Sequence, residues 1–211
     1  MKLAFNKIVP EPIPQPLIAS SKIWGEEITW AANDRILAQA QSGKGKSTLL
    51  HLIYGLRKDY SGSWEIEGVQ GEDLSAEDWL ILRAKKLSLL FQDLRLFKKL
   101  SARDNLELLP EINPQAPTVK EMCEVLGILH LLNKPVETLS LGQRQRFALV
   151  RCLRKPFCWL LLDEPFSHLD EGNAQAAAGL IEAVLNQNDA GLVITSLTGS
   201  CPLSCNRSIN L

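Results

Sequence analysis

The sequence predicts an α/β fold: a mostly parallel core sheet, an antiparallel β part at the N-terminus, and a helical subdomain inserted at about residues 95–155. Three observations predict it. Two short runs, CWLLLDEP (158–165) and GLVITS (191–196), are apolar without alternation, the pattern of parallel strands covered on both faces. An Ala-rich helical stretch (174–186) joins them, giving strand, helix and strand in the order of a parallel crossover. A loop rich in Gly and Lys (40–48) sits between a strand-like run and a helix-like one.

Residues 10–16, PEPIPQP, are restricted by proline and read as extended. KIWGEEITW and RILAQA within 22–40 read as two strands, with a turn at Asn33-Asp34 between them. Lys46 to Leu56 reads as a helix with Leu49, Leu50, Leu52 and Ile53 on its inner side. Ser61-Gly62-Ser63 reads as a turn and WEIEGV after it as a strand. Ser75 is a candidate N-cap, with Asp78 three residues on to complete a capping box. KLSLLF (86–91) is an apolar strand ending at Gln92. Residues 101–132 are helical in pieces, broken by Pro110, Pro114 and Pro117, and a longer helix starts near Leu141. RSINL closes the chain, and no internal repeat is visible.

The 211 residues suit one domain, 1–211, with the helical insertion as a subdomain. A net charge of −1 argues against a nucleic-acid binder, which carries a basic excess. No apolar run reaches the length of a membrane span. The N-terminal MKLAFNKIVPEPIPQP turns Pro-rich too early for a signal peptide, so the expected location is the cytoplasm. The five cysteines, odd in number and scattered, fit reduced thiols; Cys201 and Cys205 are too few ligands for a metal site.

Residues 40–48, Ala-Gln-Ser-Gly-Lys-Gly-Lys-Ser-Thr, nearly spell the phosphate loop G-x-x-x-x-G-K-[ST], which makes the predicted core that of a P-loop NTPase. A helix start offers backbone N–H groups and a positive dipole end to an anion. The loop from Ser42 through Gly43, Lys44 and Gly45 would curl into a nest for phosphate. Lys46 would reach the β- and γ-phosphates, Ser47 would ligate Mg²⁺, and Thr48 would add a phosphate contact. Ala40 stands where the motif has its first glycine, at the entry turn rather than among the gripping N–H groups. A methyl group there is tolerated at a negative φ and costs about 1–2 kcal/mol at a positive one.

Asp163 and Glu164 end an apolar strand as adjacent carboxylates. Near a phosphate loop, Asp163 can hold Mg²⁺ through water and Glu164 can act as general base on a water aimed at the γ-phosphate. Leu139-Ser140-Leu141-Gly142-Gln143 begins a predicted helix, Ser140 lying 23 residues before Asp163. There Ser140, Gly142 and Gln143 again turn a hydroxyl, N–H groups and a dipole toward an anion.

In order and spacing these motifs resemble those of the ATP-binding cassette (ABC) transporter ATPases, whose signature Leu-Ser-Gly-Gly-Gln appears here with Leu141 in place of one glycine. The resemblance covers nearly the whole chain. It implies that the signature faces ATP on a second ATPase subunit, so the chain would work as a homodimer or heterodimer. Gln92 resembles the glutamine that touches Mg²⁺ and the attacking water and senses the membrane subunits. Ser167-His168-Leu169-Asp170 resembles the loop that runs along the dimer interface, which makes His168 an interface residue; His51 and His130, in helical runs, default to packing or surface roles.

Two positions depart from the family. Its switch histidine falls on Ser196, 32 residues after Glu164. A serine stabilises developing phosphate charge less than imidazole, so catalysis through Glu164, Gln92 and Ser196 is expected to be slow, by about 10²-fold if one transition-state contact is lost. The adenine-stacking aromatic should fall near Pro16–Ile18, where none stands; Trp24, Trp30 or Phe5 are candidates, each also suited to the core.

The expected function is therefore an ATP- and Mg²⁺-using ATPase subunit that drives transmembrane permease subunits from the inner face of the cell membrane, without a nucleic-acid partner. The stretch FQDLRLFKKLSARDNLELLP (91–110) resembles the lipoprotein-releasing, macrolide-export and cell-division ATPases, which implies lipoprotein release, export or mechanical signalling rather than nutrient import. Two alternatives remain: a nucleotide-binding regulator with little hydrolysis, and a soluble ABC ATPase not tied to a membrane.

Overall fold

A computed structural model describes residues 1–211 except 12, 42 and 198–200. The chain opens with β1 (Leu3–Pro10) and a short helix α1 (Gln15–Ser20), followed by β2 (Glu27–Trp30) and β3 (Arg35–Gln39). After α2 (Lys46–Ile53) come β4 (Tyr60–Ile66), β5 (Val69–Gln70), α3 (Ala76–Lys85) and β6 (Leu87–Leu90). The helical stretch holds α4 (Ala102–Glu107), α5 (Val119–Val125) and α6 (Leu141–Arg154), with short 3-10 turns at Leu129–Leu131 and Val136–Thr138. The chain then runs through β7 (Trp159–Asp163), α7 (Glu171–Asn188), β8 (Gly191–Ser196) and β9 (Arg207–Asn210).

Two sheets result. An antiparallel sheet has the order β2-β1-β4-β5, and a parallel sheet the order β6-β7-β8-β3-β9. Register in the parallel sheet does the functional work. Leu90 pairs with Leu162, Asp163 with Thr195, and Gln39 with Ser196. The carboxyl ends of β6, β7, β8 and β3 therefore form one row, the edge at which open parallel sheets bind ligands.

Side-chain alternation splits the core in two. Leu160 and Leu162 of β7, and Leu192 and Ile194 of β8, face a cluster built with α4 to α7. Trp159, Leu161 and Val193 face the other way, into a cluster with α2 and the antiparallel sheet. All five residues of β7 are buried, which explains their unbroken apolar run.

Several local expectations change. β1 was not legible as a strand, yet it is the centre of the antiparallel sheet, paired to β2 and β4. The 10–16 segment is not extended throughout: α1 begins at Gln15, with Pro14 as N-cap and Pro16 in the first turn, where a missing N–H costs nothing. Only Glu27–Trp30 of KIWGEEITW is strand. Ser61-Gly62-Ser63 is not a turn but part of β4, at a shift in its register with β1. Gly62 has φ +80°, and a Cβ there would lie 2.3 Å from the Lys7 carbonyl oxygen, so glycine lets the two strands approach. The Ser75–Asp78 capping box forms as expected. No helix among the described residues is long and apolar enough to cross a membrane.

Candidate nucleotide-binding and catalytic site

The phosphate loop leaves the end of β3 and enters α2, so the buried sheet fixes one side and the helix N-terminus the other. Gly43 (φ +78°) and Gly45 (φ +94°, the N-cap of α2) take the left-handed conformations that turn the backbone inward. Ala40 is not among the residues with positive φ, so its methyl group is tolerated and the missing glycine leaves the loop shape intact. Ser42 lies outside the described residues. Lys44 closes the loop, its N–H donating to the Gln41 carbonyl at 3.3 Å.

Lys46 is only 6% exposed. Its ammonium donates to the carbonyl oxygens of Ala40 (2.8 Å) and Gln41 (3.2 Å) and lies 3.3 Å from Glu164 Oε1. The loop lysine thus uses its donors on its own loop and on the candidate base. Ser47 Oγ donates to Asp163 Oδ2 at 2.6 Å, bringing together two of the three residues expected at Mg²⁺, the third being Gln92. Thr48 is half-buried, and its hydroxyl accepts from Arg57 at 3.4 Å.

Asp163 and Glu164 sit where the register places them. Asp163, 4% exposed, also accepts the Thr195 hydroxyl at 2.8 Å. Glu164 has φ +49°, a costly conformation for a residue with a side chain. Its N–H donates to Thr195 Oγ1 at 3.0 Å. Its carbonyl accepts from Gln145 Nε2 (3.1 Å) and from the Ser167 hydroxyl (3.0 Å). Thr195 and Gln145 are the residues that sequence reasoning missed. Thr195 was hidden inside an apolar strand, but Gln145 did leave a signal: it falls on the buried face of α6 with Leu149 and Cys152, at i, i+4 and i+7.

Ser196 ends β8, half-buried, beside the entry to the phosphate loop; its carbonyl oxygen lies 3.5 Å from the Ala40 N–H. Gln92 is exposed in the turn after β6, two residues beyond the Leu90–Leu162 pair. The row thus gathers the loop, Asp163, Glu164, Thr195 and Ser196, with Gln92 at its β6 end. His51 packs against Phe91, ring centroids 5.9 Å apart, and burial holds its pKa below the usual histidine value.

The signature lies apart in sequence but uses the same local chemistry. Ser140 caps α6 and accepts the Gln143 N–H at 3.2 Å, while Gln143 Oε1 accepts the Ser140 N–H at 2.9 Å. A hydroxyl that accepts still has its proton to donate, so an exposed Ser140 remains available to an anion. Gly142 lies against the segment after β7: a Cβ there would come 2.7 Å from the His168 carbonyl oxygen.

The aromatic candidates do not form a base platform. Trp24, Trp30 and Phe5 are buried in the second core cluster, and Phe5 packs edge-on to Trp30. Trp24 does approach the loop: a Cβ on Gly45 would lie 3.5 Å from its indole Nε1 and 3.1 Å from Ile13 Cδ1. The cysteines are free, with burial pushing Cys123 and Cys152 up to about 11. Among the described residues no group of three or more His, Cys, Asp or Glu could hold a metal ion.

A phosphate loop, a strand-end carboxylate pair and a second capped helix on a parallel sheet define a P-loop ATPase cassette. The comparisons agree. The family model described as ABC transporter matches residues 35–167, and the chain belongs to that family. It is 36% identical over 161 residues to the lipoprotein-releasing system ATP-binding protein LolD of Buchnera aphidicola subsp. Schizaphis graminum, covering 74% of this chain and 70% of that protein. It is 34% identical over 176 residues to the thiamine import ATP-binding protein ThiQ of Escherichia coli K12, covering 80% and 72%. The fold matches a dimeric post-hydrolysis structure of the ATP-binding cassette MJ0796 bound to ADP and Pi with a TM-score of 0.74, at 21% identity, over 92% of this chain and 87% of that one. The chain is an ABC transporter ATP-binding subunit and an ATPase.

Proposed function

We propose that this subunit clamps two ATP molecules between two copies of itself and passes the closing motion to transmembrane permease subunits, working peripherally at the inner face of the membrane. The observation that carries this reading is the convergence of Lys46, Ser47, Asp163 and Glu164 within direct contact at the end of the parallel sheet.

The chemistry follows from those contacts. A triphosphate entering the loop meets the N–H groups of the first turn of α2 and draws Lys46 away from the Ala40 and Gln41 carbonyls. The three N–H donors of Lys46 are spent on Ala40, Gln41 and Glu164, so turning them onto the phosphates draws the ammonium away from Glu164 and loosens the ion pair. Freed, Glu164 is the carboxylate that accepts a proton from the attacking water. Its left-handed backbone, fixed on both sides, aims it before substrate arrives. Ser47 and Asp163 offer hard oxygen ligands of the kind Mg²⁺ takes in nucleotide sites, few in number and beside the phosphates. When bound, the ion would neutralise charge on the phosphoryl oxygens. Gln92, exposed at the end of the row, is suited to touch both the metal site and a membrane partner. On the second copy, the Ser140 hydroxyl and the N-terminus of α6 would close over the γ-phosphate.

The likeness to LolD supports the release or export reading, and the likeness to ThiQ shows that import ATPases are equally close in sequence. Ser196 at the switch position favours a second reading, a nucleotide-held regulator that turns over little. Glu164→Gln separates them. The account predicts that ATP binding persists while turnover falls by about 10²-fold or more, the usual contribution of a general base. Wild-type turnover no faster than that of the variant would favour the regulator.

A further inference from the structure

The strained turn that carries Glu164 is held from outside by two side chains, one from each neighbouring element. Thr195 of β8 takes the Glu164 N–H. Gln145 of α6 donates from one amide nitrogen to two carbonyl oxygens, Glu164 at 3.1 Å and Pro165 at 2.6 Å. Gln145 is 3% exposed, and its Oε1 is buried without a partner. A core position that leaves one polar atom unpaired is costly, and an apolar residue would avoid that cost. What Gln145 does supply is a grip on the two successive peptide units that follow the left-handed residue, while Thr195 holds the N–H of the unit before it. Ser167 also donates to the Glu164 carbonyl, but from within the same turn.

One turn earlier on α6, Gly142 rests on the His168 backbone, and Ser140 caps the helix. The helix that presents the signature therefore touches the catalytic turn at two levels.

We infer that Gln145 is a positioning residue for Glu164: it holds the carboxylate's backbone in the left-handed conformation. This rests on the reading of Glu164 as general base. Leucine at 145 keeps the bulk and removes the grip, so the turn relaxes toward ordinary backbone angles and the carboxylate moves off its aim.

The test is a double-mutant cycle in steady-state ATP hydrolysis, using wild type, Gln145→Leu, Glu164→Gln and the double variant. The expected result is a fall of about tenfold or more in kcat for Gln145→Leu, with KM for ATP within about twofold, because one transition-state contact is misplaced while binding is spared. In the Glu164→Gln background, adding Gln145→Leu should change the residual rate by less than about twofold, since the group it positions is gone. Equal losses in both backgrounds, or no loss from Gln145→Leu alone, would overturn the inference. If Gln145→Leu does not fold, Gln145→Met, flexible and without a donor, takes its place in the same cycle. A Glu164→Gln enzyme that keeps wild-type turnover would instead sink the general-base reading, so the two failures are distinguishable.

Discussion

Ser196 sits where its carbonyl meets the mouth of the phosphate loop and its neighbour Thr195 meets both Asp163 and Glu164. A side chain at 196 is thus one residue from the catalytic wiring. Histidine there would extend an imidazole where serine has only a short hydroxyl, and would add a donor for developing phosphate charge. Ser196→His is expected to raise kcat, by as much as about 10²-fold if a whole transition-state contact is gained, with KM little changed. Steady-state phosphate release measures it, and an unchanged kcat would show that the imidazole missing at 196 does not limit turnover. At this scale the sequence was informative wherever chemistry depends on residue type. Lys46, Ser47, Asp163 and Glu164 could be proposed because the motifs admit few residue types at those spacings. Gln145 and Thr195 were not, because their roles depend on backbone contacts across elements that spacing does not reveal. Whether Ala40 is harmless was likewise a question about φ, which sequence leaves open.

Elements bring those residues together through register and caps. A slip of β7 by one residue against β8 would carry Asp163 away from Thr195 and turn the faces of β7 over, so the alternate burial of Leu160, Leu161 and Leu162 protects the site as much as the core. The apolar runs of β7 and β8 made these strands legible. β1 was not, because its alternation breaks at Asn6-Lys7, where its register with β4 shifts, and because its partners β2 and β4 are distant in sequence. α1 was obscured by prolines that belong to its first turn. The signature helix also carries a testable constraint. Gly142→Ala would place a methyl group 2.7 Å from the His168 carbonyl oxygen, closer than such contacts occur, so one segment must shift. The expected cost is about 1–3 kcal/mol. It should appear as a fall in the midpoint of denaturant unfolding together with reduced turnover; unfolding and turnover both unchanged would mean that α6 and the segment after β7 are not held together as the structure has them.

The whole molecule is two layers of packing on a parallel sheet, with the helical cluster on one face, and α2 and the antiparallel sheet on the other. In the proposed nucleotide clamp each layer would supply one half: the loop and Lys46 from the α2 side, Ser140 at the head of α6 from the helical side. The central claim is that these halves meet on ATP from two different copies. Its most direct measurement is the solution mass and bound nucleotide of the Glu164→Gln chain with Mg²⁺ and saturating ATP. The account predicts a shift from one 23.5 kDa chain to two, with two ATP molecules retained, and reversal of that shift by a bulky residue at Ser140. A chain that stays single and retains no nucleotide under those conditions would contradict it.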